Sequence, residues 1–462
     1  MKKILLITSF FPPSANPGIY RNVKLIKYLH NHNYNFVVLT FLLEIDPLLS
    51  KLEKENLLQE LPQNIKVKRI KPFPRERIEN ILGKIMLSRL IKLFYLPDGE
   101  IFDGLKLLRE GIKICQKEKI ELLYISGPPF ATKFIVAMIL KKLFKFLLII
   151  DFRDPWVEPF FAEYETIFHY WVNKYLEKKA LEVADGIIVV SPRHKEKIEL
   201  SNPFVHKKVV LINNGYDEED FKENIKENRT DRFYIVYTGE FYSYRPIDEK
   251  RYKRVLRKIY NLGKYYPYQV GKEEINTHTP YYFFQAIKLL FEKYPHLREK
   301  IKVIIAGRRY EVFKKLAEKW GIEKNISFLG QVSHKKVIQL LLDADLLLYV
   351  LLAKSKGNRS AYCIPGKTYE YIRSGKPILA LVPEGDAKEI LEKAGTAYFA
   401  DPTSPEEIAD LLERLYQLHC QGGIPVQPNW EFIQQFERSR QAKKLAEFLD
   451  QIFEQAKNPS NQ

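Results

Sequence analysis

Residues 363–377 (CIPGKTYEYIRSGKP) contain the residue types that a site for a diphosphate and a ribose needs. Pro365 and Gly366 indicate a helix start, Lys367 then lies in the first turn, and Glu370 follows on the same face. A cation beside backbone amides suits a diphosphate, and a carboxylate can accept hydrogen bonds from both hydroxyls of a ribose. The alternative is a solvent-exposed ion pair between Lys367 and Glu370.

Residues 151–156 (DFRDPW) place two carboxylates, a guanidinium and an indole directly after an apolar segment. Polar groups at this density are costly unless they pair with one another or face a ligand. They therefore predict a binding site, with a structural Asp–Arg pair as the alternative. After another apolar segment, Gly18 would let a ligand approach the backbone closely and Arg21 would add positive charge. A simple turn is the alternative there.

Short apolar segments alternate with helical patterns along most of the chain, which is typical of parallel sheets covered by helices on both faces. The first half predicts strands at residues 3–9, 35–41, 65–70, 122–126, 146–152, 186–191 and 209–213. The second half predicts strands at residues 233–238, 302–306, 326–329, 346–351, 377–381 and 396–399. Ligands bind beyond the carboxyl ends of parallel strands, where Gly239 and the runs described above lie.

The chain is long enough for two doubly wound α/β domains, which a charged, apolar-poor segment separates. The predicted N-terminal domain spans residues 1–215, the linker 216–231 and the C-terminal domain 232–427. A segment rich in lysine, arginine and tyrosine, at about 246–279, is predicted to be an insertion. A helix is predicted within 428–457, before a disordered tail at 458–462.

Composition and net charge restrict the classes of protein, of site and of partner that fit this chain. Three cysteines without CxxC spacing indicate neither a disulfide framework nor a thiolate zinc site, and a reducing compartment fits best. The apolar run after Met1 is too short to span a bilayer and predicts a buried strand instead of a signal peptide. The net charge of +17 implies attraction to polyanions. Residues 70–96 predict a basic, partly amphipathic helix that either lies on anionic lipid or packs on its own domain.

The order and spacing of these segments resemble the retaining GT-B glycosyltransferases of family four over residues 3 to about 415, apart from the predicted insertion. The similarity rests on residues 3–18, 151–156, 184–191, 212–217, 237–239, 305–307, 328–330 and 365–377. It implies a GT-B fold of two Rossmann-like, doubly wound domains that face a central cleft, with the C-terminal helix returning to the N-terminal domain.

The resemblance also implies roles for individual residues. The family's ribose-binding glutamate falls on Glu370, and its diphosphate-binding arginine and lysine fall on Arg245 and Lys367. The family's earlier glutamate, eight positions before Glu370, is replaced by Tyr362, and Asp154 occupies the region of the usual active-site histidine. The implied catalytic residues are Asp154, Arg245 and Lys367. The implied donor-binding residues are Gly18, Gly239, Arg245, Gly307, Gly366, Lys367 and Glu370.

The activity that follows from the resemblance is transfer of a sugar from a nucleotide-sugar donor to a glycan or lipid-linked acceptor, in surface polysaccharide or glycoconjugate biosynthesis. We expect retention of configuration, no cofactor and no metal, in a cytoplasmic protein that associates peripherally with the inner membrane face. Asp343 and Asp345 form a DxD pattern, but their place before an apolar strand favours a structural role. A GT-B nucleotide-sugar epimerase and a non-catalytic or nucleic-acid-binding protein are the alternatives.

Overall fold

The computed structural model describes residues 1–13, 18–42, 57–83, 91–157, 163–222, 232–241, 262–265, 272–308, 310–353 and 359–458. The chain divides into two compact units. The first unit comprises Met1–Asn213, Tyr260–Pro267 and Arg438–Gln462, and the second comprises Asn214–Ile259 and Tyr268–Glu437.

The first unit is built on a parallel sheet with strand order β3-β2-β1-β4-β5-β6-β7. Its central strands are buried on both faces, because helices cover the two sides of a parallel sheet and only apolar runs tolerate that position. The strands are β1 Lys2–Thr8, β2 Tyr34–Phe41, β3 Lys66–Ile70, β4 Leu122–Ser126, β5 Leu147–Phe152, β6 Gly186–Val189 and β7 Val209–Leu211.

Helices of the first unit begin where the sequence supplies caps. Thr166 accepts a hydrogen bond from the amide of His169, and Ser191 caps the next helix, whose first residue is Pro192. The helices are α1 Gly18–His30, α2 Arg75–Gly83, α3 Gly104–Lys117, α4 Ala131–Phe144, α5 Ile167–Val183 and α6 Pro192–Ser201.

The second unit has a parallel sheet with strand order β10-β9-β8-β11-β12-β13. Its strands are β8 Phe233–Thr238, β9 Ile301–Ala306, β10 Ile326–Gly330, β11 Leu346–Val350, β12 Ile378–Leu381 and β13 Ala397–Phe399. Its helices are α7 Lys272–Thr277, α8 Tyr281–Lys293, α9 Leu297–Lys300, α10 Glu311–Lys319, α11 His334–Asp343, α12 Lys367–Arg373, α13 Asp386–Ala394, α14 Pro405–Cys420 and α15 Trp430–Gln434. The strand order reverses between β8 and β11, so ligands are expected beyond the carboxyl ends of these two strands.

The last helix, α16 (Arg438–Lys457), belongs to the first unit, as the resemblance implied. Its apolar residues Leu445 and Leu449 join the core beneath α1. Its Asp450 accepts hydrogen bonds from Lys2 at 2.6 Å and from the Tyr34 hydroxyl at 2.7 Å. The predicted single helix is interrupted after Gln434, and α15 remains in the second unit.

Two other segments differ from the sequence predictions. The predicted linker is packed where it begins, since Tyr216 and Phe221 are buried and Glu218 pairs with Arg373 within the second unit. The end of the predicted insertion is also part of that unit, since Asn276 and its neighbours up to residue 279 are buried. Residues 223–231, 242–261 and 266–271 lie outside the described residues, as do residues 459–462 of the predicted tail.

The predicted basic helix over residues 70–96 is also not continuous. Ile70 ends β3, α2 covers only Arg75–Gly83, and residues 84–90 lie outside the described residues. No helix in the described part of the chain combines the length and apolar character needed to cross a bilayer.

Candidate functional site

Gly239 and Gly307 follow the central strands β8 and β9 and bring two loops into close contact. The Gly239 amide donates to the carbonyl of Ala306 at 2.9 Å. A Cβ atom at position 307 would lie 1.8 Å from the Gly239 carbonyl oxygen, and Gly239 itself has a φ of 123°. Only glycine satisfies both requirements, so these two glycines let the loops after β8 and β9 pack this closely.

Lys367, the first residue of α12, lies on a cluster of tyrosine rings that we call the tyrosine cage. Its Nζ is 3.8 Å from the ring centroid of Tyr237 on β8, 5.3 Å from that of Tyr349 on β11 and 5.9 Å from that of Tyr371. Cations bind the faces of aromatic rings within about 6 Å. The cage therefore holds the ammonium group at the point where the strand order reverses.

The rings of the cage are fixed by their own hydroxyl groups. The Tyr371 hydroxyl accepts a hydrogen bond from the amide of Thr238 at 2.9 Å, and the Tyr349 hydroxyl bonds to Thr368 at 2.6 Å. The Tyr237 hydroxyl donates to the carbonyl of Glu240 at 3.3 Å. These bonds orient the rings before any ligand binds.

The ammonium group of Lys367 has no ion pair with a carboxylate among the residues that the structure describes. Burial lowers the pKa of Lys367 to about 7, because its neighbours are mostly apolar ring atoms. Nearby His278 is buried, and burial together with the charge of Lys367 lowers its pKa to about 3. A cation without an internal counter-charge favours an anionic ligand.

Glu370 does not form the surface ion pair with Lys367 that was the alternative prediction. Its Oε1 instead lies 2.9 Å from Nε2 of His334, the first residue of α11, whose N-cap is Ser333. The side chain of Glu370 is 18% exposed, and Asp220 lies 3.9 Å from the other ring nitrogen of His334. His334 was missed from the sequence, where only the serine cap indicated a helix start.

The remaining predicted donor residues are placed as follows. Gly366 precedes α12, and nothing lies within 4 Å of a Cβ built on it. The amides of Thr368 and Tyr369 already bond to carbonyls of the same turn, at 3.1 and 3.3 Å. These bonds close the first turn of α12, and the predicted contact of a phosphate with the amides of Gly366 and Lys367 stays a prediction. Arg245 lies outside the described residues.

In the first unit, the positive charge of Arg21, which was predicted to add to a ligand site, is paired with a carboxylate of the same unit. Its Nε and Nη2 donate to the two carboxylate oxygens of Asp151 at 2.9 and 3.1 Å. The Tyr124 hydroxyl also donates to Asp151, at 3.0 Å. This buried pair joins Asp151 to Arg21 and not to Arg153, the arginine of the DFRDPW run itself.

Asp154, the predicted catalytic carboxylate, has a side chain that is 55% exposed. Gly18 begins α1 in the same unit. A buried network close to β1 was missed altogether: Lys133 Nζ donates to Ser9 at 2.7 Å and to Glu100 at 2.9 Å. Lys133 is fully buried, and its position within an apolar helical run was the signal in the sequence.

The DxD pattern has a structural role at its second aspartate. Asp343 ends α11, and Asp345 accepts a hydrogen bond from the amide of Tyr234 at 2.8 Å. Within the described ranges, no group of three or more histidine, cysteine or carboxylate side chains is arranged to hold a metal ion.

Comparison with known proteins identifies a domain type in the second unit. Residues 279–420 match the family model of glycosyl transferases group 1. No curated protein matches the sequence.

Solved structures with this fold are similar over nearly the whole chain. Sucrose-phosphate synthase from Thermosynechococcus elongatus has a TM-score of 0.59 at 14% identity, covering 98% of this chain and 99% of that one. Anabaena HepE in complex with UDP-glucose has a TM-score of 0.59 at 14% identity, with 98% and 100% covered. A Listeria monocytogenes protein described as a UDP-N-acetylglucosamine 2-epimerase has a TM-score of 0.52 at 12% identity, with 98% and 97% covered. These matches and the two parallel sheets confirm the predicted GT-B fold class.

Proposed function

We propose that this protein is a glycosyltransferase that moves a sugar from a nucleotide-sugar donor to a glycan or lipid-linked acceptor. The observation that carries the proposal is the ammonium group of Lys367, which the tyrosine cage holds at the strand-order reversal without a carboxylate partner among the described residues. An anion with two phosphates fits this position, because ligands of parallel sheets bind beyond such strand ends. The match of residues 279–420 to glycosyl transferases group 1 supports the same activity.

In this proposal the second unit binds the donor. Lys367 contacts the diphosphate, Gly239 and Gly307 allow close backbone approach, and Glu370 accepts hydrogen bonds from the ribose. His334 orients Glu370 through the 2.9 Å contact. The bound UDP-glucose of Anabaena HepE supports a nucleotide-sugar donor in this fold. The predicted contribution of Arg245 stays a prediction.

Breaking the bond between the sugar and the diphosphate builds negative charge on the leaving oxygen. A fixed cation at that oxygen stabilises the transition state more than the ground state, which is the requirement for catalysis. The ammonium group of Lys367 supplies this positive charge. We propose that the reaction proceeds with retention of the anomeric configuration and without a metal. Asp154 on the first unit is the candidate for contact with the acceptor hydroxyl.

Donor binding is tested first, by the unfolding temperature of the protein against UDP-, GDP-, ADP- and CDP-sugars. One of these donors should stabilise the wild type and fail to stabilise Lys367→Met. Lys324→Met is the matched control, because Lys324 is an exposed lysine of the same unit. Equal stabilisation of both variants would remove Lys367 from the site.

Turnover then separates transfer from the alternatives. A transferase releases nucleoside diphosphate only with an acceptor, whereas an epimerase converts the donor sugar without one. The Listeria structure motivates this comparison, since its fold is shared. Tight, salt-sensitive binding of single-stranded RNA with no nucleotide-sugar binding would favour the nucleic-acid alternative.

We also propose that the protein works at the inner face of the cytoplasmic membrane, in surface polysaccharide or glycoconjugate synthesis. Helix α5 supports this, because Ile167, Phe168, Trp171 and Tyr175 are each more than half exposed. Lys174 lies 5.5 Å from the Trp171 ring centroid. Aromatic rings beside lysines suit the boundary between lipid headgroups and acyl chains.

Co-sedimentation with vesicles tests this surface. The wild type should bind vesicles that contain anionic lipid at low salt, and Trp171→Glu should bind less. Leu200→Glu on α6 is the control, because Leu200 is an exposed apolar residue of the same unit. Equal binding of the two variants would exclude α5 as the contact.

A further inference from the structure

Arg153, which directly follows β5, is a nearly buried arginine, and two of its three guanidinium nitrogens lack acceptors among the described residues. Its side chain is 11% exposed. No hydrogen-bond acceptor in the part of the chain that the structure describes reaches Nε or Nη1, although both atoms are buried. The nearest carboxylate oxygen, on Asp154, is 3.9 Å from Nη2, which is too far for a hydrogen bond. Burial lowers the pKa of Arg153 below its usual range, yet an arginine stays charged in proteins.

The other carboxylate of this region does not neutralise Arg153, because Asp151 is already occupied. It receives both donors of Arg21 and the hydroxyl of Tyr124. Arg21 also donates hydrogen bonds to the backbone carbonyls of Ile212 and Asn213, at 3.1 and 3.0 Å. Each guanidinium nitrogen of Arg21 therefore donates a hydrogen bond, whereas Nε and Nη1 of Arg153 have no acceptor among the described residues.

The guanidinium group of Arg153 is held in a defined place. Its Cζ lies 4.6 Å from the ring centroid of Phe10, and its Nη1 occupies the space beside Gly18 that a side chain would fill. A Cβ atom at position 18 would be 1.5 Å from Nη1. Asn22 fixes the Phe10 loop by donating to the Phe10 carbonyl at 2.8 Å. Because Gly18 is the first residue of α1, the positive end of that helix lies at the same place.

We propose that Arg153 and the first turn of α1 form a subsite for an oxyanion carried by the acceptor, a phosphate or a carboxylate group. The assignment of this anion to the acceptor rests on the proposed transferase function, whereas the anion site itself does not depend on that function. Buried donors without acceptors are rare in folded proteins, and a ligand that supplies the acceptors explains them. Guanidinium groups bind phosphate and carboxylate through two parallel hydrogen bonds, and helix N-termini favour the same ligands.

The test uses the full-length protein and inorganic phosphate as the probe. Phosphate should raise the unfolding temperature of the wild type in a saturable way, and Arg153→Met should bind it roughly tenfold more weakly or not at all. Arg77→Met is the matched control, since Arg77 is an exposed arginine of the same unit, and it should respond as the wild type does. All measurements are repeated with Lys367→Met, so that binding at the donor site is removed.

Gly18→Ala supplies a second variant that keeps Arg153 but displaces its guanidinium group, and it should also lose the phosphate effect. A phosphate effect that is unchanged in either variant would overturn the subsite. Glucose 6-phosphate, glucuronate and vesicles with phosphatidic acid then distinguish a sugar phosphate, a sugar acid and a lipid phosphate as the source. If phosphate binds through Arg153 but no sugar is transferred, the subsite stands and the transferase proposal fails.

Discussion

The affinity for a nucleotide-sugar should fall about tenfold between pH 6 and pH 8, because the ammonium group of Lys367 titrates within this range. Burial lowers its pKa to about 7, so about nine-tenths of the group is charged at pH 6 and about one-tenth at pH 8. The diphosphate of a nucleotide-sugar is esterified at both ends and keeps its charge throughout. Only the charged lysine attracts it, so binding above pH 7 must take up a proton.

The side chains around Lys367 do not titrate in the same range. Burial lowers the pKa of His278 to about 3, which keeps that ring neutral. Burial raises the pKa of Tyr371 to about 12 and that of Tyr349 well above its usual value. His334 contacts Glu370, so His334→Gln serves to separate its contribution.

Isothermal titration calorimetry with the best-binding nucleotide-sugar at pH 6, 7 and 8 measures the effect directly. Repeating the pH 8 titration in buffers with different ionisation enthalpies counts the protons taken up, and we expect nearly one. Lys367→Arg should remove the pH dependence, because a guanidinium group stays charged throughout. The reasoning would be refuted if donor affinity changed with pH equally in the wild type and in Lys367→Arg, or if the affinity rose with pH.

Three further predictions follow from single contacts. Gly307→Ala should abolish donor binding, since its Cβ would lie 1.8 Å from a carbonyl oxygen; calorimetry compares it with the wild type, and unchanged affinity would contradict this. Glu370→Gln should weaken donor binding by roughly tenfold, the scale of a hydrogen bond to a charged group, and unchanged affinity would exclude the ribose contact. Arg21→Met should lower the free energy of unfolding by about 3–5 kcal/mol in urea, because Asp151 is then buried without its partner; a loss below about 1 kcal/mol would contradict this.

The strands were predictable from local sequence, because burial within a sheet restricts the residue types that a strand can contain. Residues 122–126 and 233–238 were predicted with the bounds that the structure has, since a strand buried on both faces needs an uninterrupted apolar run. The break after Gln434 was not predictable, because helical periodicity continues on both sides of residues 435–437. Glu437, the last residue of the second unit, forms a β-bridge with Tyr216, and local sequence does not identify so distant a partner.

The candidate site was predictable in its residue types and not in its contacts. Local sequence patterns identify the ends of strands and the first turns of helices. Gly239 and Gly307 follow strands, and Lys367 and Glu370 lie in the first turn of a helix. The partner of Glu370 comes from another helix, and no local signal connects it to His334. The pairing of Arg21 with Asp151 joins residues 130 positions apart in the same way.

The tyrosine cage explains why Lys367 stays available to a ligand although it is largely withdrawn from water. A carboxylate partner would hold the ammonium group firmly, but a phosphate would then have to displace it or share the cation. Ring faces hold a cation at about 0.5–2 kcal/mol without neutralising it. The Tyr349 hydroxyl bonds to Thr368 and the Tyr371 hydroxyl accepts from the amide of Thr238, so these rings are oriented in advance. Replacing Tyr237 by leucine should therefore weaken donor binding without changing its proton uptake, whereas a new carboxylate in the cage should abolish both.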